Sequence, residues 1–171
     1  FVKFHAFQYS KGVDGWFSNK GALYFQVDGI NFITSHTQSE ERCLCEVDYK
    51  GNPSTTKKQI QEIMDNCPFG REMILLGDLN DELTDPDDAN VFKSFIEDPE
   101  NYKFVDMNIA LGSLSNLSYP SYPSHIDHIL ITNELFDEFE NPGSNIQTLH
   151  LENYFYGGWN DYENYISDHR P

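Results

Sequence analysis

The sequence predicts a mixed α/β domain with substantial antiparallel sheet. Three observations carry that expectation. Strand-like segments outnumber helical ones along the 171 residues. Asp28-Gly29 sits between two apolar segments and is the two-residue signal for a tight hairpin, hence for an antiparallel pair. Helical patterns that follow strands, at 56–66 and 89–96, imply layers outside a sheet.

In chain order, Phe1-Val2-Lys3-Phe4 reads like the inside of a strand. Residues 21–27 form the next strand, and 30–35 return from the Asp28-Gly29 turn to deliver His36. Residues 37–55 are polar and carry Gly51, Asn52 and Pro53, which predicts a loop. Ser54 or Thr55 can cap a helix to about Asn66, with Ile60, Ile63 and Met64 on one face, stopped by Pro68 and Gly70. The continuous apolar run at 73–77 has the character of a strand buried on both faces, and it ends in Asp78-Leu79-Asn80-Asp81. Asp85-Pro86-Asp87-Asp88 is a turn with an acidic helix start, and a helix is expected to run to about Ile96. Residues 98–124 read mostly as loop, and 126–132 as a strand. A short helical piece is expected at 134–139, then a strand at 146–151. The aromatic, Gly- and Asn-rich stretch 154–165 reads as a loop leading to Ser167-Asp168-His169.

Composition bounds the function classes. Apolar residues make up 39% and charged residues 23%, enough to build a core and incompatible with full-length disorder. No apolar run approaches the roughly 18 residues of a membrane span. The net charge is −17 and stays strongly negative even with all six His protonated. Such a chain repels nucleic acid and anionic membranes at long range, so an anionic substrate must be met by local cations, a bound metal first among them. Cys43, Cys45 and Cys67 show no four-ligand zinc spacing and leave the compartment open, an extracytoplasmic one included. The ends, Phe1 and Ser167-Asp168-His169-Arg170-Pro171, predict a single domain over 1–171 that is incomplete at both ends.

Polar residues gather where the expected strands begin and end. His36 closes one strand, Asp78 and Asn80 close another, Asp127 opens a third, and Asp168 and His169 end the chain. In adjacent antiparallel strands the end of one lies beside the start of the next, so all four places can share one rim. Each motif alone has an ordinary reading: a surface His, a turn in which Asp and Asn bond their own backbone, a terminal polar tripeptide. Asp127 is less ordinary, because a charge within an apolar strand costs several kcal/mol unless paired or metal-bound. Together the set suits phosphate ester hydrolysis. Carboxylates hold Mg²⁺ or Mn²⁺, an Asp deprotonates the attacking water, and a His held by a second carboxylate meets the phosphoryl group.

The order Ser35-His36, Gly77-Asp78-Leu79-Asn80, Ile126-Asp127-His128-Ile129-Leu130, Ser167-Asp168-His169-Arg170-Pro171 resembles the endonuclease/exonuclease/phosphatase superfamily, the DNase I-like fold, from about Asn19 onward. The resemblance implies a four-layer α/β sandwich with mixed, largely antiparallel sheets. Here it would lack its N-terminal strands and its last C-terminal strand. It implies a divalent-metal phosphoesterase with Mg²⁺ (or Mn²⁺) as cofactor. Carried over by position, Asp78 would activate water and Asn80 would place nucleophile and phosphate. His169 would contact the scissile phosphate with Asp127 as its orienting partner, Asp168 would belong to the metal site, and His36 would be a second phosphate-contacting or acid His. The family's early Asn and its principal metal-binding Glu would precede residue 1. Asn19-Lys20-Gly21-Ala22-Leu23-Tyr24 with Ser35-His36-Thr37-Gln38-Ser39-Glu40 is similar to bacterial sphingomyelinases, and Lys20 is a candidate substrate contact. The expected substrate is a phosphodiester, with nucleic acid favoured and phospholipid the alternative. A non-catalytic relative that binds phosphorylated ligands or proteins is the reading from another class. Tyr154, Phe155, Tyr156 and Trp159 could offer a base-stacking or lipid-contact surface.

Overall fold

The computed structural model describes residues 3–8, 21–27, 30–35, 64 and 72–171. Among them, six strands form one mixed sheet: β1 (Lys3–Gln8), β2 (Gly21–Val27), β3 (Ile30–Ser35), β4 (Met73–Asp78), β5 (Tyr102–Phe104) and β6 (Asp127–Thr132). Their spatial order is β1-β2-β3-β4-β6-β5. All neighbours are antiparallel except β3 and β4, which run parallel with Ile33 opposite Leu75. β2 and β3 pair with Val27 opposite Ile30, as the hairpin signal requires; the Asp28-Gly29 turn itself lies outside the described residues.

The apolar run of β4 is sandwiched as its composition demands. Met73 and Leu75 face a core with Ile33, Leu79, Val91, Phe92, Phe95, Phe104 and Leu130. Ile74 turns to the opposite face, where it packs against Val105, Ile131 and Leu135. Alternation along β4 and β6 therefore feeds two cores, one on each face of the sheet. Met64, in a helical conformation, joins the first core; the rest of the expected 54–66 helix lies outside the described residues. The helices are short: α1 (Lys93–Ile96), α2 (Met107–Ala110), α3 (Phe136–Glu140) and α4 (Trp159–Tyr165). Among the described residues, no helix is long and apolar enough to cross a membrane.

Several expectations are corrected. The helix anticipated over 89–96 is only the single turn α1, because Asn90 turns its amide back onto the carbonyls of Leu83 and Asp85 and holds the preceding residues in turns. The stretch 98–124 is mostly loop, as expected, but it also holds β5, too short for a periodic signal, and α2. Residues 146–151 do not join the sheet. Burial alternates there as in a strand, but Leu149 N–H donates to Pro171 O and Thr148 Oγ1 to Asn116 O, so the segment is tied to loops. The stretch 154–165 ends in helix α4, whose Tyr162 is buried against Phe155 and Trp159. A second sheet facing the first is not among the described residues.

Candidate active site

The rim where β4 ends and β6 begins gathers the polar residues. Because β3 and β4 are parallel, their ends lie on the same edge; because β6 is antiparallel to β4, Asp127 is the direct cross-strand partner of Asp78. Cross-strand partners share a face, so these two carboxylates project to the same side. β4 then turns sharply. Gly77 has φ 144° and Asn80 a left-handed φ of 56°, a conformation that Asn tolerates better than most residues. Asp78 Oδ1 accepts the Asn80 N–H at 3.0 Å, Leu79 N–H donates to Ile126 O at 2.8 Å, and the Leu79 side chain is fully buried. The turn is thus fastened both to the core and to the residue before β6.

The C-terminal residues arrive from the far end of the chain. Arg170 N–H donates to Ser118 O at 2.7 Å, while Ser118 Oγ accepts the N–H groups of Ile126 and Asp127 at 3.1 and 3.2 Å. The Arg170 guanidinium is held by Glu152 Oε1, at 3.0 Å from Nε, and by the carbonyl of Ser115. This places His169 Nδ1 2.6 Å from Asp127 Oδ2, with the imidazole lying on the Tyr119 ring at 4.9 Å between centroids.

The hydrogen bond to Asp127 raises the proton affinity of His169. Partial burial opposes it, and the negative charges of Asp127, Asp78 and Asp168 reinforce it. Burial pushes the Asp127 carboxyl up, but hydrogen bonds from His169 and Ser118 and the charges of His169 and His128 outweigh it, so Asp127 stays below the usual carboxylate range. The pair is therefore an imidazole donating Nδ1–H to a carboxylate, and Asp127, Asp78 and Asp168 all favour its protonated form.

The structure thus brings Asp78, Asp127, Asp168 and His169 to one rim, with Asn80 in the adjoining turn. His36 and Lys20 lie outside the described residues. Sequence reasoning missed Ser118 and Tyr119, which shape the pocket of His169, and Glu152, which anchors Arg170. It also missed a second carboxylate–imidazole group. Asp106, His125 and His128 are all buried, and their ligand atoms lie within 4.8 Å of one another, so this group could hold a metal ion. Two imidazoles and one carboxylate are not the all-oxygen set that Mg²⁺ prefers, which the rim carboxylates offer instead. The spacing His125-x-x-His128 around an apolar strand was the visible signal for it.

No protein-family model matches the chain, and no curated protein does. Among solved structures, it is similar to the human nocturnin catalytic domain with bound sulfate anion, at 13% identity and a TM-score of 0.47. That match covers 77% of this chain and 48% of the other, so the chain spans about half the length of the structure it resembles.

Proposed function

We propose that the chain is part of a DNase I-like, four-layer phosphoesterase domain that hydrolyses phosphodiester bonds with a divalent metal, nucleic acid being the favoured substrate. The observation that carries this reading is the 2.6 Å His169–Asp127 pair at a rim that also gathers Asp78 and Asp168. A strongly acidic chain that sets a His of raised proton affinity among three carboxylates has what phosphate ester chemistry asks for: a positioned proton donor beside groups for a base and a cation.

In this reading Asp78 accepts a proton from the attacking water, and Asn80, fixed by the turn, orients water and phosphate. His169 directs its Nε2–H at a phosphoryl oxygen while Asp127 holds Nδ1–H and so fixes the ring. Asp168, with Asp78 alongside, would hold Mg²⁺ or Mn²⁺, which when bound supplies positive charge against the phosphate. His36 as a second phosphate contact and Lys20 as a substrate contact rest on their sequence motifs.

The test is hydrolysis by the natural-length protein of plasmid DNA and of sphingomyelin vesicles, each with Mg²⁺ and with excess EDTA. DNA cleavage that EDTA abolishes and Mg²⁺ restores is expected. Cleavage of sphingomyelin alone would move the substrate to phospholipid, and full activity in chelator would sink the metal-dependent reading.

A further inference from the structure

His128 sits one residue beyond Asp127 but on the other face of the sheet, 1% exposed, edge-on to Phe92 at 5.3 Å and Phe104 at 5.8 Å. A polar ring in such a place must have its nitrogens satisfied. Nδ1 lies 2.7 Å from Asp106 Oδ2, and Nε2 lies 2.8 Å from the main-chain oxygen of Asp81. Asp106 in turn accepts the Ile129 N–H on Oδ1 at 2.9 Å, and His125 Nε2 approaches Oδ2 at 3.1 Å.

Both partners of His128 are acceptors. A carbonyl oxygen never donates, and a carboxylate donates only when protonated. Hydrogen bonds from both His and from Ile129, together with the His128 charge, overcome the burial of Asp106 and hold its carboxyl down at about 2. Nε2 of His128 therefore carries the hydrogen that meets the Asp81 carbonyl. A metal ion between the rings and the carboxylate fits less well. Two ligands of a tetrahedral zinc with bonds near 2.0–2.1 Å stand about 3.3 Å apart, whereas 2.7 Å is the separation of a charge-assisted hydrogen bond.

We infer that His128 is a positioning residue of the candidate site: clamped by Asp106, it grips the carbonyl of Asp81 and so fixes the exit of the Asp78–Asp81 turn. The entrance of that turn is already held by the ladder to β6 and by Leu79, and its middle carries the left-handed Asn80. The bond from His128 holds the far end. A tie from the core to the backbone of a site turn fixes side-chain positions without touching substrate, and displacements near 1 Å at such turns cost on the order of 100-fold in rate. The consequence for turnover rests on the phosphoesterase reading; the consequence for the turn does not.

The test uses wild type, His128→Leu, His128→Gln (whose amide keeps N–H donors) and Asp106→Asn. Ring ¹⁵N–¹H signals of the wild type should include a hydrogen-bonded Nε2–H on His128, and a ring with its hydrogen on Nδ1 alone would overturn the inference even if every variant failed to fold. Zn²⁺ added at one equivalent should leave those signals in place; their loss would make the cluster a metal centre and overturn it too. In His128→Leu and Asp106→Asn, amide exchange of Leu79 and Asn80 should quicken about tenfold or more while Leu75 keeps its protection, with His128→Gln closer to wild type. Uniform change across β4, or none, would refute the clamp. On a cleaved phosphodiester, His128→Leu should lower kcat about 10–100-fold with KM within about twofold. Altered exchange in a protein with no hydrolytic activity would refute the phosphoesterase reading and leave the clamp standing.

Discussion

His169 acquires its character from a partner 42 residues away in sequence, and Asp106 from one 22 residues away. Local patterning shows neither pair; the motif resemblance had already joined Asp127 to His169, and nothing in the sequence pointed to Asp106. The Ile126-Asp127-His128 motif showed that one of its polar residues needed a partner, but alternation decided which went where: Asp127 to the rim, His128 into the core. Removing the imidazole in His169→Ala should lower turnover on a cleaved phosphodiester by about 10²–10⁴-fold with an unchanged melting temperature, because a rim residue leaves no core cavity. Near-normal turnover in the folded variant would remove His169 from the mechanism. Asp127→Asn should cost about 10²-fold or more, since an amide can present the wrong group to Nδ1 and no longer stabilises the imidazolium. For Asp106 the sign runs through linkage. Its folded carboxyl titrates near about 2, below its ordinary 3.8, so the ionised form belongs to the folded state. The resulting stabilisation, about 2 kcal/mol, is present in full above the ordinary carboxylate range and is lost as pH falls from about 4 toward 2. Urea unfolding of wild type and Asp106→Asn across that window should show their stabilities converging as pH drops. A constant gap would contradict this.

The elements divide by how much of their cause is local. β4 was legible because Met73-Ile74-Leu75-Leu76 meets an apolar neighbour on both faces, and β6 for the same reason. The stretch 146–151 alternates correctly and still is not part of the sheet, since pairing depends on which edge is in reach; its hydrogen bonds go to Asn116 and Pro171. Helix α4 was hidden by aromatic and Asn residues of weak helix propensity, and its burial of Tyr162 outweighs that propensity. The turn carrying His169 depends on Arg170, whose ion pair with Glu152 is 2.7 Å long and largely buried. Arg170→Ala leaves that carboxylate without its cation and should destabilise by about 3–5 kcal/mol in urea unfolding, with loss of the His169–Asp127 contact. A change below about 1 kcal/mol would show that the pair holds nothing in place. In the core, Phe92→Ala should cost about 3–5 kcal/mol by the same measurement, because Phe92 is fully buried against Phe104 and His128.

At the scale of the molecule, the charge of −17 acts against any polyanionic substrate. On the proposed nucleic-acid reading, association with DNA should quicken as salt rises. With Mg²⁺ held saturating, kcat/KM on DNA should rise between about 20 and 150 mM KCl, as the Debye length shortens toward about 8 Å. A monotonic fall would mean that a local cationic surface dominates the approach. The rim itself is drawn from four places: β4, the start of β6, Ser118 and the C-terminal residues. Such a site has an order of assembly. Strand pairing must bring Asp78 beside Asp127 before residues 167–171 have anything to dock on, and Leu149 N–H to Pro171 O, like Arg170 N–H to Ser118 O, can close only then. Sequence separation does not set this order, because Asp78 and Asp127 are about as far apart along the chain as Arg170 and Ser118; the order follows from the docking surface, which exists only once the strands have paired. In refolding, the far-ultraviolet signal should therefore return before the His169–Asp127 pair, so that a newly made molecule passes through a stage with its sheet built and its imidazole still loose in water. Simultaneous recovery of the two signals would show that sheet and site are a single cooperative unit.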